Sequence, residues 1–327
     1  MQNDVIELRP PTAGDRTEII ALLAAALGRD DDPRFGALYS WKHERNAFGP
    51  SLQVVAVDGA RIVGFRALMR WQFRRDGRLV DAVRAVDTAT HPDYQGLGIF
   101  TRLTRHAIEL LRAEGVGFIF NTPNSQSLPG YLKMDWRTVG RVPISVRPLS
   151  PAAAVRMAQA RVPAERWSEP CDVGEPADTV LADVQAMTDL LASQPPSSGM
   201  GTVRSAGYLA WRYETEMLGY RALVGEGGPT SGVVVFRVRR RGSAREIVLN
   251  ELLVPGADPR RARAMHKLLA TSVDADYIIR AGGPRLSTDG YLRLPRQGPV
   301  LTWRSVCDTH MPVLADWDVS MGDIELF

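Results

Sequence analysis

The feature that most constrains this fold is a strand that ends in a glycine-containing turn and continues directly into an amphipathic helix. Residues 86–90 are small or β-branched and predict a strand, which the breaker sequence of residues 91–93 ends. The turn from Gln95 to Gly98 therefore lies at a helix N-terminus, where free backbone N–H groups and the helix dipole attract phosphate. Apolar residues then recur at helical spacing, at Ile99, Leu103, Ala107, Leu110 and Leu111.

Two common phosphate-binding motifs do not fit this turn. A P-loop ends in Gly-Lys-Ser/Thr, which the turn lacks. A dinucleotide fingerprint has the pattern G-x-G-x-x-G, and Thr101 stands where its third glycine belongs. On the motif alone, an ordinary strand-to-helix turn without a ligand is the alternative interpretation.

The turn does resemble the acyl-CoA loop of the GNAT (GCN5-related) N-acetyltransferases, which has the pattern Gln/Arg-x-x-Gly-x-Gly/Ala. Gln95, Gly98 and Phe100 occupy those positions, and Phe100 departs from the Gly/Ala rule. A second segment follows at the separation that the family shows. It resembles the GNAT element "Asn…Ser/Ala…Tyr-x-x-x-Gly-Phe", in which the tyrosine, here Tyr131, lies beside the CoA sulfur; Trp136 takes the place of the final Phe.

The resemblance implies a GNAT fold: an α/β mixed sheet in which two central parallel strands splay apart to admit the pantetheine arm. It implies acetyl-CoA as co-substrate and no metal. The residues that it assigns to CoA binding lie on the strand, on the turn and helix start, and in the second element: Thr88, Ala89, Thr90, Gln95, Gly96, Leu97, Gly98, Ile99, Phe100, Asn124 and Ser127.

The second half of the chain repeats the first in a weaker form. Residues 208–214 are similar to residues 38–44, and Trp41 and Trp211 precede Phe65 and Phe236 by 24 and 25 residues. The turn at 255–260, Pro-Gly-Ala-Asp-Pro-Arg, lacks the glycine pattern and has an Asp and a Pro where N–H donors should point. We expect two GNAT-like domains in tandem, with no CoA in the second; an unrelated α+β domain is the alternative. The expected boundaries are 1–148 for the catalytic domain, 149–178 for a linker, 179–306 for the degenerate domain and 307–327 for an acidic tail.

Acetylation of an amine requires removal of a proton from the nucleophile and protonation of the leaving thiolate. Tyr131 is the predicted acid, with a packing role as the alternative. Asp87 and Glu44 are the rival predicted bases, and the acidic tail is a third candidate. By resemblance to tandem GNAT enzymes that place the chain's end in the active site, Asp323 and Glu325 are predicted to bind the amine, as is Trp41; a solvated tail is the alternative.

Composition excludes several other classes. The net charge is only +3 and the arginines are dispersed, which argues against nucleic-acid binding. The apolar run at residues 19–27 is far too short for a membrane span, and the acidic N-terminus does not suit a signal peptide, so we expect a cytoplasmic protein. Cys171 and Cys307 are isolated, and the five histidines lack ligand spacing, so no metal site is expected.

The sequence therefore predicts an enzyme that moves an acetyl group from acetyl-CoA to a primary amine by direct attack in a ternary complex. The predicted acceptor is a small molecule such as an aminosugar or an aminoglycoside-like metabolite. The alternatives are a non-catalytic acyl-CoA sensor or scaffold and a protein or peptide N-acetyltransferase. A monomer or a homodimer fits this interpretation, and nothing in the sequence names the acceptor.

Overall fold

The structure is a computed structural model that describes residues 6–26, 28, 32–160, 162–195, 199–282 and 289–325. The strands are β1 (Glu7–Arg9), β2 (Leu52–Asp58), β3 (Arg61–Arg75), β4 (Arg78–Thr90), β5 (Phe118–Asn121), β6 (Arg137–Arg141), β7 (Ile144–Pro148), β8 (Glu175–Pro176), β9 (Met200–Thr202), β10 (Arg221–Val224), β11 (Val233–Arg241), β12 (Ala244–Leu253), β13 (Tyr277–Ala281), β14 (Leu292–Leu294), β15 (Val300–Ser305) and β16 (Trp317–Asp318). The helices are α1 (Arg16–Ala26), α2 (Phe35–Tyr39), α3 (Ile99–Ala113), α4 (Leu128–Leu132), α5 (Pro151–Gln159), α6 (Ala177–Leu181), α7 (Val184–Ala192), α8 (Ala206–Tyr213), α9 (Pro259–Ser272) and α10 (Met321–Ile324). Within the described ranges, no helix combines the length and the apolar character needed to cross a membrane.

The chain divides into two compact units, each built from separate stretches of sequence. Unit 1 comprises the residues up to Phe73, Arg78–Gly140 and Val300–Val313. Unit 2 comprises Arg74–Gly77, Arg141–Pro299 and the residues from Leu314 onward.

The sheet of unit 1 has the strand order β1-β2-β3-β4-β5-β15-β6. Its central pair, β4 and β5, is parallel and is joined only at Ala82–Arg84 with Phe118–Phe120. Beyond Arg84, β4 runs on to Thr90 without pairing to β5, so the two strands separate at their carboxyl ends. This separation is the cleft that a GNAT fold is expected to have.

Unit 2 has the strand order β14-β7-β13-β12-β11-β10-β8. Read from β8 to β14, this order corresponds strand for strand to the order of unit 1 read from β1. The parallel pair is here β12 and β13, joined at Glu246–Val248 with Tyr277–Ile279. The expectation of two GNAT-like folds of mixed α/β class is confirmed, and the matched residues Phe65 and Phe236 lie on corresponding strands, β3 and β11.

The units differ from the domain boundaries expected from the sequence. β7, at residues 144–148, pairs with β13 and β14 in the sheet of unit 2. β15, at residues 300–305, pairs with β5 in the sheet of unit 1. Relative to the expected boundaries, β7 and β15 thus exchange sheets. The expected linker at 149–178 carries α5, which packs on β7, and the expected tail at 307–327 is shared between the two units.

Local sequence signals predicted most elements of unit 1. Strands β2 and β3 meet at Asp58-Gly59, and β3 and β4 meet at Asp76-Gly77, as the turn residues predict. Helix α2 ends at Tyr39 and is followed by one π-helical turn, Ser40–Glu44. Such turns are frequent at functional sites, and this one carries the buried side chains of Lys42 and His43.

Helix α3 packs its apolar face on the core of unit 1. Ile99, Leu103, Ala107 and Leu111 are buried there, and Leu110 is partly buried. Gly64 of β3 permits this contact, because an added Cβ would lie 2.5 Å from the Ile99 side chain. The close approach fixes the start of α3 against the sheet.

Candidate active site

The turn before α3 has the conformation that its glycines predict. Gly96 and Gly98 have φ angles of +80° and +73°, a left-handed region that other residues rarely adopt, and Gly98 is the N-cap of α3. An added Cβ at either glycine would meet no atom within 4 Å. The outer surface of the turn is therefore open, and α3 presents its first N–H groups there without a side-chain cap on Gly98.

The end of β4 borders a cavity of about 520 Å³ within unit 1. Its walls include Thr88, Ala89, Thr90 and Gln95, together with residues of α1. The Thr88 hydroxyl donates to the Phe65 carbonyl oxygen at 3.1 Å, which fixes that side chain against β3. Four of the predicted CoA-binding residues thus lie together in a cavity of small-molecule size.

Tyr131 lies next to the helix start. Its ring meets the Phe100 ring edge-on, with 5.6 Å between centroids, and is 3% exposed. Arg66, which is fully buried, donates from Nη1 to the Tyr131 hydroxyl at 2.8 Å. The Arg66 guanidinium also lies 5.4 Å from the Phe100 centroid and 5.3 Å from the Tyr131 centroid. Phe100, which departs from the family pattern, thus packs against both Tyr131 and Arg66.

The other predicted loop residues have local partners. Asn124 Oδ1 accepts from the backbone N–H of Ser127 at 2.8 Å and from its hydroxyl at 3.0 Å, which shapes the entry to α4. Ile99 is buried in the core, whereas Leu97 is partly buried against it. Contact of these residues with CoA stays a prediction.

Asp87 is the centre of a buried polar network. The Lys42 Nζ atom lies 2.5 Å from its Oδ2, and His43 Nε2 lies 2.9 Å from the same oxygen. His43 Nδ1 lies 2.9 Å from the Ser51 hydroxyl oxygen. Because an ionised carboxylate only accepts, we assign the proton of neutral His43 to Nε2 and the acceptor role to Nδ1.

Burial and charge fix the protonation states in this network. Burial raises the pKa of Asp87, but the Lys42 ammonium and the hydrogen bond from His43 outweigh it and lower that pKa below its usual range. Burial lowers the pKa of His43 and outweighs the opposing effect of the Asp87 carboxylate. At neutral pH the arrangement is an ionised carboxylate beside a neutral imidazole.

Glu44, the rival predicted base, lies at the surface. It pairs with Arg16 at 2.8 Å, and both side chains are more than 40% exposed. The hydrogen bond from Arg16 lowers the pKa of Glu44. Trp41, a predicted substrate contact, is fully buried. The structure therefore brings Asp87 into a built network and leaves Glu44 and Trp41 outside it.

The tail carboxylates lie in ion pairs within unit 2. Asp323, 1% exposed, pairs with Arg204 at 2.9 Å and accepts from the Tyr208 hydroxyl. Glu325 binds Arg237 and lies 2.7 Å from Nη1 of Arg239. Arginines of the same unit therefore neutralise both carboxylates, and amine binding by them stays a prediction. The last two residues of the predicted acidic tail, Leu326 and Phe327, lie outside the described residues.

The corresponding turn of unit 2 has a different chemistry. Residues 255–257 form a 3-10 turn, and the Asp258 carboxylate caps α9 by accepting from Arg260 N–H at 2.8 Å. A carboxylate at this position repels a phosphate, in contrast to the open turn of unit 1.

Comparison with known proteins identifies unit 1. The family model for the acetyltransferase (GNAT) domain matches residues 7–139. Those residues are a GNAT acetyltransferase domain. The chain is accordingly an enzyme of the acyltransferase class, and acetyl-CoA is the acyl donor that the family uses. Functionally curated protein sequences give no match to this chain.

Solved structures share the fold over 92% of the chain. A conserved protein of unknown function from Enterococcus faecalis, described as a probable N-acyltransferase, aligns with a TM-score of 0.63 and 12% identity over 73% of its own length. A GCN5-related N-acetyltransferase from Kribbella flavida aligns at 0.59 and 17% over 72%, and Eis1 from Mycobacterium abscessus at 0.58 and 13% over 74%. The TM-scores show a common fold, and the 92% coverage extends over residues of both units.

Sequence reasoning missed Lys42, His43, Ser51 and Arg66. Lys42 and His43 adjoin the predicted Glu44, but which neighbour faces the sheet depends on the π-helical turn. Arg66 did give a signal, since it is a charged residue inside the apolar run of residues 62–69. Among the described residues, no group of three or more histidine, cysteine, aspartate or glutamate side chains is placed to hold a metal ion.

Proposed function

We propose that unit 1 catalyses transfer of the acetyl group of acetyl-CoA to a primary amine of a small molecule, by direct attack in a ternary complex. The observation that carries the proposal is the position of Tyr131 beside the start of α3, with its ring 5.6 Å from that of Phe100. A phosphate-binding turn and a candidate acid are thereby brought to one place, which is what this reaction needs.

The residues at the turn fit the donor. Gly96 and Gly98 leave open space where a side chain would stand, and the helix start supplies N–H groups for the pyrophosphate. The end of β4, Thr88–Thr90, does not pair with β5 and has backbone groups available for the pantetheine amides. Acetyl-CoA supplies the thioester carbonyl on which the amine acts.

In this proposal, Tyr131 is the acid. Its oxygen accepts from Arg66, and the described residues offer its hydroxyl hydrogen no acceptor. The hydroxyl is therefore free to donate that proton to the sulfur that leaves. Asp87 is the proposed base: it is ionised and its side chain is 11% exposed, so it can take the proton of the amine, while Lys42 and the N–H of His43 hold the carboxylate in place.

The acceptor class is a small amine such as an aminosugar or an aminoglycoside-like metabolite. This class is supported by the resemblance to tandem GNAT enzymes and by the fold shared with Eis1. The cavity of about 520 Å³ in unit 1 is lined by predicted CoA-binding residues, so this cavity does not select the acceptor. The alternative of an acyl-CoA sensor gains no comparable support, because a protein that only binds acyl-CoA needs neither a base such as Asp87 nor an acid such as Tyr131.

The test is steady-state release of thiol from acetyl-CoA with a panel of amines. The panel contains an aminoglycoside, glucosamine, a polyamine and a lysine peptide, with a reaction that lacks amine as background. We expect release with the sugar amines and one N-acetyl product per thiol. Binding of acetyl-CoA without release in any reaction would establish a sensor, and release with the peptide alone would establish a peptide acetyltransferase.

Tyr131→Phe is the matched variant for this assay. It removes one hydroxyl and keeps the ring that packs on Phe100. We expect kcat to fall by about 10²- to 10⁴-fold, the range for a positioned acid, with little change in acetyl-CoA affinity by calorimetry. Unchanged turnover would assign Tyr131 to packing.

A further inference from the structure

Arg66 is a buried cation without a buried anion. It lies on β3 and is fully buried, yet among the described residues no carboxylate pairs with it. Within the described part of the chain, its Nε and Nη2 atoms have no hydrogen-bond partner, and its Nη1 donates to the Tyr131 hydroxyl. Desolvating a guanidinium without pairing it is costly, so a protein retains such a group where an anion forms or binds.

Arg237 of unit 2 shows the ordinary solution to the same problem. It is equally buried and lies on β11, the strand that corresponds to β3. There, both oxygens of Glu325 neutralise the guanidinium. The fold therefore accommodates an arginine with a carboxylate partner on this strand. Of these two buried arginines, the one that lacks such a partner among the described residues is that of unit 1.

Among the described residues, the one hydrogen-bond partner of Arg66 is the group that changes charge in the proposed reaction. When the Tyr131 O–H bond breaks and the proton passes to the leaving sulfur, the electron pair of that bond stays on the phenol oxygen. The resulting phenolate would lie 2.8 Å from Nη1 of a cation that has no other counter-ion among the described residues. At that distance in a buried setting, opposite charges attract far more strongly than in water.

We propose that Arg66 is a positioning residue that makes Tyr131 an effective acid, by holding its oxygen and balancing the negative charge left on it. This proposal rests on the proposed function. Arg66 holds the acceptor side of the hydroxyl, so the hydrogen points away from the guanidinium. The cycle closes when the second proton that the amine nitrogen loses on amide formation reaches the phenolate through water and Asp87 releases its own proton to solvent.

The test compares Arg66→Met, Arg66→Lys, Tyr131→Phe and the double variant Arg66→Met/Tyr131→Phe. Methionine keeps the length and apolar stem but removes the charge. We expect Arg66→Met to lower kcat by about 10- to 100-fold, as for loss of a charge-stabilising group, with lysine restoring part of that loss. In the double variant we expect no loss beyond that of Tyr131→Phe, because the charge that Arg66 balances no longer forms.

The second readout is the stability of the ligand-free protein, which does not depend on turnover. If Arg66 is held open for catalysis, Arg66→Met should leave the urea midpoint unchanged or raise it, since an unpaired buried cation is removed. A lowered midpoint with unchanged kcat would overturn the proposal and assign Arg66 to structure. Additive losses in the double variant would also overturn it. If the wild type shows no turnover with any amine, the proposed function fails, whereas turnover that survives Arg66→Met refutes the role of Arg66 alone.

Discussion

Replacement of Glu325 by glutamine separates a structural role of the chain's end from a role in substrate binding. The carboxylate is 7% exposed and contacts Arg237, Arg239 and the amide of Asn250. Glutamine has nearly the same shape but leaves the buried guanidinium of Arg237 without its anion, while Arg239 keeps its ion pair with Glu246. Breaking a buried ion pair by removing one partner costs about 3–5 kcal/mol, so we expect the unfolding free energy to fall by about 3 kcal/mol.

The effect should depend on pH in a defined direction. Burial raises the pKa of Glu325, but Arg237 and Arg239 outweigh it, and the pKa lies below the usual value of 4.5. A carboxyl group with a lowered pKa stabilises the fold above its unfolded value and loses that contribution as the pH falls through its folded value. The difference between wild type and Glu325→Gln should therefore be constant near pH 7 and shrink below about pH 4.5.

Urea unfolding of both proteins at a series of pH values is the assay, with Glu226→Gln as the control at an exposed position of the same unit. Steady-state kinetics with the amine found in the panel forms the second arm. Equal stability of the two proteins, together with a raised and salt-dependent KM for the amine, would refute this reasoning and support the role in substrate binding that the sequence predicts. Deletion of residues 322–327 is a poorer test, because it removes Asp323 and Glu325 together and so also takes away one of the two carboxylates that pair with Arg204.

Two further variants test unit 1. Gly98→Ala forces a side chain into a φ of +73°, which costs about 1 kcal/mol, and we expect calorimetry to show weaker acetyl-CoA binding. The control is Gly36→Ala in α2, where the side chain has open space and φ is ordinary, and it should leave that affinity unchanged. Asp87→Asn should lower kcat by about 10²-fold or more with little change in KM for acetyl-CoA, whereas Glu44→Gln at the surface should leave kcat unchanged. Equal kcat losses in the two variants, measured by thiol release, would contradict the assignment of Asp87 as base.

Local chemistry explains which parts of this structure could be predicted. The turns at Asp58-Gly59 and Asp76-Gly77 and the start of α3 after Gly98 depend on residues a few positions apart, and the structure confirms them. The exchange of β7 and β15 could not be predicted, because two short apolar strands carry no local signal of which sheet they join. The His43–Asp87 contact joins residues 44 positions apart, so periodicity along either element does not reveal it.

The two units show how one strand order can carry a site or lack one. In unit 2 the buried arginine of β11 is paired with Glu325, and the Asp258 carboxylate caps the helix after the parallel strand. In unit 1 the buried arginine of β3 contacts only Tyr131 among polar groups, and the helix start has Gly98 in place of a capping side chain. Because both units have the same strand order, this fold does not require the unpaired donors that the described residues of unit 1 contain. Unsatisfied donors at a helix start and on a buried cation each cost stability, and both lie around Tyr131. That coincidence supports the proposal that the chemistry lies around Tyr131, and the paired Arg237 of unit 2 is the structural counterpart with which Arg66 is compared.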